Sequence, residues 1–176
     1  MDALIAFRFL EVLYGTDEKN YSNDKDFRRW VQKVIYYLQC YSLKENNRPF
    51  IKQELYAYPD GPMVTSLHDE LKKQLSEEEL NKLLSSGSAE YAEYDSDLLE
   101  AVALVLSKYS GKDLTNISHT SAPWVQTIQN GAISKELMKE KFGEGRFEED
   151  FLKEVTKAFN GRKALREAVP TSFKEE

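Results

Sequence analysis

The sequence predicts a mainly α-helical, compact bundle of about seven to nine helices carrying a small two- or three-stranded β-ribbon. Three observations lead there. Apolar residues recur at steps of three and four in most segments between Leu4 and Phe159. Cap and stop residues bracket those segments. Only Phe50-Ile51 and Leu55 to Tyr58 read as strands, and two strands alone are barely stable, so they must be laid on the helices.

The elements follow in order. Asp2 caps a first helix to about Leu13, whose apolar residues Leu4, Ile5, Phe7, Phe9, Leu10, Val12 and Leu13 cover more than one face and predict deep burial. Gly15 ends it, and Thr16 to Asn23 reads as a loop. A helix capped by Asn23 or Asp24 then carries the stripe Phe27, Trp30, Val31, Val34, Ile35, Leu38 and Tyr41. Gln32, Lys33, Tyr36, Gln39 and Lys44 fall off the centre of that stripe. Asn46 or Asn47 takes the left-handed stop conformation, and Pro49 forbids continuation. The stretch from Trp30 to Leu67 is the densest in the chain.

Pro59-Asp60-Gly61-Pro62 must turn sharply, with Gly61 free to adopt positive φ. Pro62 suits the first turn of a third helix carrying Val64, Leu67, Leu71 and Leu75. Ser76 and Glu79 form a capping box that starts another helix to about Leu84, and Ser85 to Asp95 reads as an exposed loop. Ser96 to Tyr109 is a strongly periodic helix closed by Gly111. Asp113 to His119 makes one or two helical turns, and Ser121 with Pro123 starts a short helix through Ile128. Ile133 and Met138 staple a helix capped by Ser134 and running to Phe142. Gly143 and Gly145 break it. A last amphipathic helix over Phe147 to Phe159 stops at Gly161, and partial disorder is expected after Val169. Residues 1–145 are expected to form the main domain, and 146–176 a C-terminal helix and tail.

Composition narrows the function classes. The net charge of −6 disfavours a nucleic-acid footprint, which needs a clustered basic face. The single cysteine, Cys40, excludes an intramolecular disulfide and reads as buried filler. Met1 to Leu13 lacks a basic n-region, and no run reaches the roughly 20 apolar residues of a membrane span, so a cytoplasmic protein without membrane contact is expected.

The usual chemical sites find little support. His68 and His119 are the only histidines and have no companion at metal-ligand spacing, so neither a metal nor a cofactor is expected. One enzyme-like set exists: Lys33, Asp60 and His119 are a cation, a carboxylate and a general base. A histidine just before Pro-Trp more simply fixes a helix junction. Tyr36, Tyr37, Tyr41, Tyr56 and Tyr58 concentrate aromatic surface suited to packing or to protein anchoring.

Three blocks carry a family resemblance. They are Gln32-Lys33-Val34-Ile35-Tyr36-Tyr37, Ala57 to Val64 with its Gly61-Pro62 corner, and Ser118-His119 to Pro123-Trp124. In this order they resemble the Panacea domain of SocA-like (also called GepA-like) antitoxins of bacteria and their phages. There the blocks read as a Leu-Gln-Lys-Leu-Leu-Tyr-like helix, an Ala-Trp-x-x-Gly-Pro-Val corner and a Thr-His-x-x-x-Pro-Trp turn. Tyr58 stands in place of tryptophan, Ser118 in place of threonine, and Asp60 where a larger residue is common. The resemblance spans roughly Ala3 to Phe142 and leaves Phe147 onward as an addition.

The resemblance implies a protein-binding antitoxin with no catalytic residue. It acts on a cognate toxin, generally encoded by a neighbouring gene. The alternatives are an adaptor that delivers a partner to a protease, as the family's namesake does, or an enzyme using His119 and Asp60. The motif residues Gln32, Lys33, Tyr36, Tyr58, Asp60, Gly61, Pro62, His119 and Trp124 are the candidates for partner contact or for holding the fold.

Overall fold

The computed structural model describes residues 1–14, 25–73, 75–88 and 93–168. Its elements in chain order are α1 (Ala3–Tyr14), α2 (Lys25–Asn46), β1 (Tyr56–Tyr58), β2 (Gly61–Met63), α3 (Leu67–Glu70), α4 (Glu77–Ser88), α5 (Glu93–Leu106), α6 (Gly111–Ser118), α7 (Ala122–Val125), α8 (Lys135–Lys141) and α9 (Arg146–Ala168). The described residues thus form a mainly α bundle with one two-stranded ribbon, as the periodicity predicts. Gly15, the loop Thr16 to Asn23, the cap at Asn23 or Asp24 and the tail after Val169 lie outside the described residues.

Helix α2 is the axis of the fold. Helices α1, α5, α6 and α8 and the ribbon pack against it, and every residue from Trp30 to Leu43 is buried. The expectation of a one-sided stripe is corrected here. Gln32, Lys33, Tyr36 and Gln39 are as buried as the apolar residues, because α6, α8 and the ribbon cover the face opposite α5. Asn47 ends the helix at φ 54°, the left-handed stop expected there.

Helix α1 is covered less fully than its composition implies. Leu4 N–H donates to Asp2 at 2.9 Å, as the cap requires, and Ala3, Ala6, Phe7 and Leu10 are buried. Val12 and Leu13 are exposed, since the packed face narrows towards its end. Arg8 is buried instead, folded over the Phe7 ring and paired with Glu11 at 2.8 Å.

Phe50-Ile51 is not a strand. Its two backbone N–H groups donate to the side-chain oxygen of Gln39, at 2.7 and 3.0 Å, so a helix residue takes the place of a ladder partner. The ribbon forms within the corner itself, pairing Tyr56 with Met63, Ala57 with Pro62 and Tyr58 with Gly61. Pro62 therefore belongs to β2, not to a helix start. The substitution of strand for helix is tolerated because Ala57 directs its N–H and C=O away from Pro62, to Gly131 and Asn130. The missing proline donor removes no ladder bond. The helix expected to follow shrinks to the single turn α3, and Val64 precedes it.

Further boundaries move for local reasons. Ser76 and Glu79 exchange bonds at 3.2 and 2.9 Å, as a capping box should, but α4 runs on to Ser88 and α5 begins at Glu93. Helix thus takes all of the described part of the expected loop. Gly111 opens α6 rather than closing α5, because Ser110 and Asp113 form a reciprocal capping box. Any Cβ at Gly111 would lie 2.0 Å from the Asp26 carbonyl oxygen, so glycine lets the start of α6 touch the start of α2. Helix α7 stops at Val125, short of Ile128. Helix α9 passes through Gly161 to Ala168, held to α5 by Arg162 on Glu100 and Arg166 on Asp97. Its Phe151 and Val155 enter the common core.

Candidate functional site

The three sequence blocks converge on the ribbon. Gln32 and Lys33 reach it from α2. The Gln32 side chain accepts from Val64 N–H at 2.9 Å and donates to the Val64 carbonyl at 3.1 Å, copying a backbone partner in both directions. Lys33 donates its ammonium to the Pro62 carbonyl at 3.1 Å. These bonds satisfy polar backbone that β2 would otherwise bury unpaired.

The other side of the ribbon is held from α6 and α7. His119 Nε2 lies 2.8 Å from the Pro59 carbonyl oxygen; because a carbonyl can only accept, Nε2 carries the proton and donates. Trp124 Nε1–H donates to the Tyr58 carbonyl at 3.0 Å, and its ring lies 4.6 Å from that of His119. Gly61 sits between the two supports at φ +92°. A Cβ there would come within 2.5 Å of Ser118 Oγ and 2.8 Å of Lys33 Cε, so the position demands glycine both for conformation and for space.

Tyr36 faces a different network. Its hydroxyl meets Ser121 Oγ at 2.5 Å, Ser121 donates to the Glu148 carboxylate, and Gly143 N–H donates to the same carboxylate at 2.5 Å. Burial raises the Glu148 carboxyl above its ordinary pKa, opposed by those two hydrogen bonds and by Lys44. Burial likewise drives the Tyr36 and Tyr37 hydroxyls and the Cys40 thiol well upward, so none of the three ionises near neutrality. The network joins α2, α7 and α9 through groups closed off from solvent.

Lys33 and Asp60 line one cavity of about 130 Å³, which His119 does not line. Burial pushes the Lys33 amine down from 10.5 to about 7; the Asp60 carboxylate works against that shift, and Arg29 adds to it. The histidine's Nε2 is committed to backbone. No group of three or more histidine, cysteine, aspartate or glutamate side chains among the described residues could hold a metal ion. No helix among them is long and apolar enough to cross a membrane.

Apolar side chains are exposed beside the corner. Tyr58 and Trp124 are half-buried, and beside them Val125 and Ile128 are exposed, Ile128 by 82%. Sequence reasoning assigned Ile128 to a helix and so missed it as surface. It also missed Gln39, Ser121 and Glu148, which bond residues on other elements: Gln39 to Phe50 and Ile51, and Ser121 to Tyr36 and Glu148. The pair Gln32 and Gln39, seven residues apart on one helix face, was the available signal.

A family model described as antitoxin SocA-like, Panacea domain, matches residues 31–125, more than half of the 176 residues. The matched span holds all three blocks that meet at the ribbon. No curated protein and no solved structure matches the chain.

Proposed function

Because the chain belongs to the SocA-like Panacea antitoxin family, we infer that it is the antitoxin of a bacterial or phage toxin–antitoxin pair and neutralises its toxin by direct protein–protein binding. The family match over the ribbon and its two supports is the observation that carries this reading. The protein acts in the cytoplasm, without catalysis, and its toxin is the product of an adjacent gene.

The docking surface is the outer side of the braced ribbon. Tyr58 and Trp124 offer half-buried aromatic rims, and Val125 and Ile128 add exposed apolar area. Such a patch suits a protein partner, since aromatic anchors on a rigid frame give contact area at low conformational entropy. Gln32, Lys33, Gly61, Pro62 and His119 act by holding the frame; Tyr36 belongs to the buried network behind it.

The test is growth. The neighbouring gene is induced in cells with and without this chain, and with an Ile128→Asp, Val125→Asp double variant. Toxicity that the wild type relieves and the folded double variant does not is expected, with co-purification of the two wild-type proteins. A harmless neighbour would overturn the antitoxin reading. Rescue by the double variant would move the docking surface elsewhere. A shortened half-life of the neighbour in the presence of this chain would identify the adaptor mode in place of masking.

A further inference from the structure

Against the acidic total, cations gather in one place. Lys25, Arg28 and Arg29 occupy the first two turns of α2 and line the cavity of about 130 Å³ together with Lys33, and Lys72 and His68 close it from the side of α3. Among the described residues Asp60 is the one acid in the wall, Asp69 lies 3.9 Å from Lys72, and Asp26 accepts from the backbone N–H groups of Gly111 and Lys112.

Two features make this placement expensive for the fold alone. The start of a helix is the positive end of its dipole, where basic side chains are disfavoured and anions are stabilised. Lys33 is 2% exposed, and its ammonium has three donors but a single hydrogen-bond acceptor among the described residues, the Pro62 carbonyl. An anion in the cavity relieves both, supplying acceptors to Lys33 and charge to the helix start.

The cavity does not end at the cations. A second depression, of about 380 Å³, shares Asp60, Met63 and His68 with it and is walled by Tyr58, Thr65 and Asp69. That volume lies within the roughly 300–1,000 Å³ typical of small-molecule sites. An aromatic ring and a methionine provide a face for a flat ring, and the two aspartates accept from amino groups. An acidic peptide would pass from the cations straight into Asp60 and Asp69 and be repelled; a purine base bearing an exocyclic amine would not.

We propose that the two depressions form one site for a purine nucleoside phosphate, with the phosphates among Lys25, Arg28, Arg29, Lys33 and Lys72 and the base against Tyr58 and Met63. The site shares Tyr58 with the proposed docking surface, but its cation-lined cavity uses none of the other docking residues, so nucleotide binding and toxin neutralisation are tested separately. A bound phosphate also returns Lys33, which burial holds near 7, to the fully charged state.

The experiment is calorimetric titration of the full chain at low salt with ADP, GDP, adenosine and inorganic phosphate. At least one diphosphate is expected to bind saturably below about 1 mM, and adenosine about tenfold or more weaker, as loss of charge-assisted bonds requires. Lys25→Ala and Lys72→Ala, both at exposed positions, should each weaken that diphosphate about fivefold or more, and Arg29→Ala at least as much. Lys153→Ala, on the distant α9, should change nothing. Should Arg29→Ala fail to fold, the two exposed lysine variants still decide. Absence of saturable diphosphate binding up to about 10 mM overturns the proposal. So does adenosine binding as tightly as ADP, inorganic phosphate binding as tightly as either diphosphate, or indifference to both lysine substitutions.

Discussion

Replacing Lys33 with methionine tests the electrostatics of the whole corner. Methionine keeps the unbranched stem that packs under Gly61 and removes the ammonium. In the folded protein the amine sits near 7, against 10.5 when unfolded, because burial disfavours its charge. Asp60 partly offsets that effect, and Arg29, one of the cavity cations, reinforces it. Between those two values the unfolded chain binds more protons than the folded one, so stability rises with pH. At about 1.4 kcal/mol per unit, the full span is worth about 5 kcal/mol, and the part between pH 6 and 9.5 about 3 kcal/mol. The variant loses this term and one hydrogen bond to Pro62, worth about 1 kcal/mol. Urea unfolding followed by circular dichroism, in phosphate-free buffer at half-unit pH steps, measures the difference. Every other ionisable group is common to both proteins, so the difference isolates the Lys33 amine. Wild type is expected to gain about 3 kcal/mol on Lys33→Met from pH 6 to 9.5. Curves that stay parallel within about 0.5 kcal/mol would show that the amine titrates as if in water, and the argument from burial would fail.

The remaining tests concern packing. Gly61→Ala should lose about 1–3 kcal/mol in thermal or urea melts, from positive φ and from contact with Ser118 and Lys33; an unchanged protein would show that the ribbon relaxes freely. Trp30→Ala should cost about 3–5 kcal/mol, since the ring is buried between Tyr14 and Phe27 and donates to the Leu106 carbonyl at 3.1 Å. A loss below about 1 kcal/mol would reject that placement. Tyr36→Phe and Tyr37→Phe should move in opposite directions. Tyr36 loses its bond to Ser121 and about 1 kcal/mol, whereas Tyr37, whose buried hydroxyl has no partner among the described residues, should gain about 1 kcal/mol. Equal changes in the two melts would contradict the assigned hydrogen bonds.

Much of this fold was legible in local signals. The caps at Asp2, Ser76 and Ser134, the stop at Asn47 and the helical spacing of α5, α8 and α9 all act within a few residues, so the chain states them directly. Periodicity misjudged α2 because it reports a helix with one wet side. A central helix has none, and Gln32, Lys33, Tyr36 and Gln39 are buried by elements up to more than a hundred residues away in sequence. Leu55 to Tyr58 was rightly read as a strand, but its partner was misplaced for the same reason. Gln39 satisfies Phe50 and Ile51 from a distance, and nothing near Pro62 announces that its partner strand directs hydrogen bonds elsewhere.

The candidate site divides along the same line. Three short motifs, read in order, pointed to the family before any geometry was known. That Lys33, His119 and Trp124 all end on carbonyls of one four-residue corner or its edge was decided by tertiary packing. So was the gathering of Lys25, Arg28, Arg29 and Lys72 around a single hollow. Capping and periodicity are short-range and are written in neighbouring residues. The placement of charge depends on which surfaces the bundle brings together, and only the folded chain brings them together.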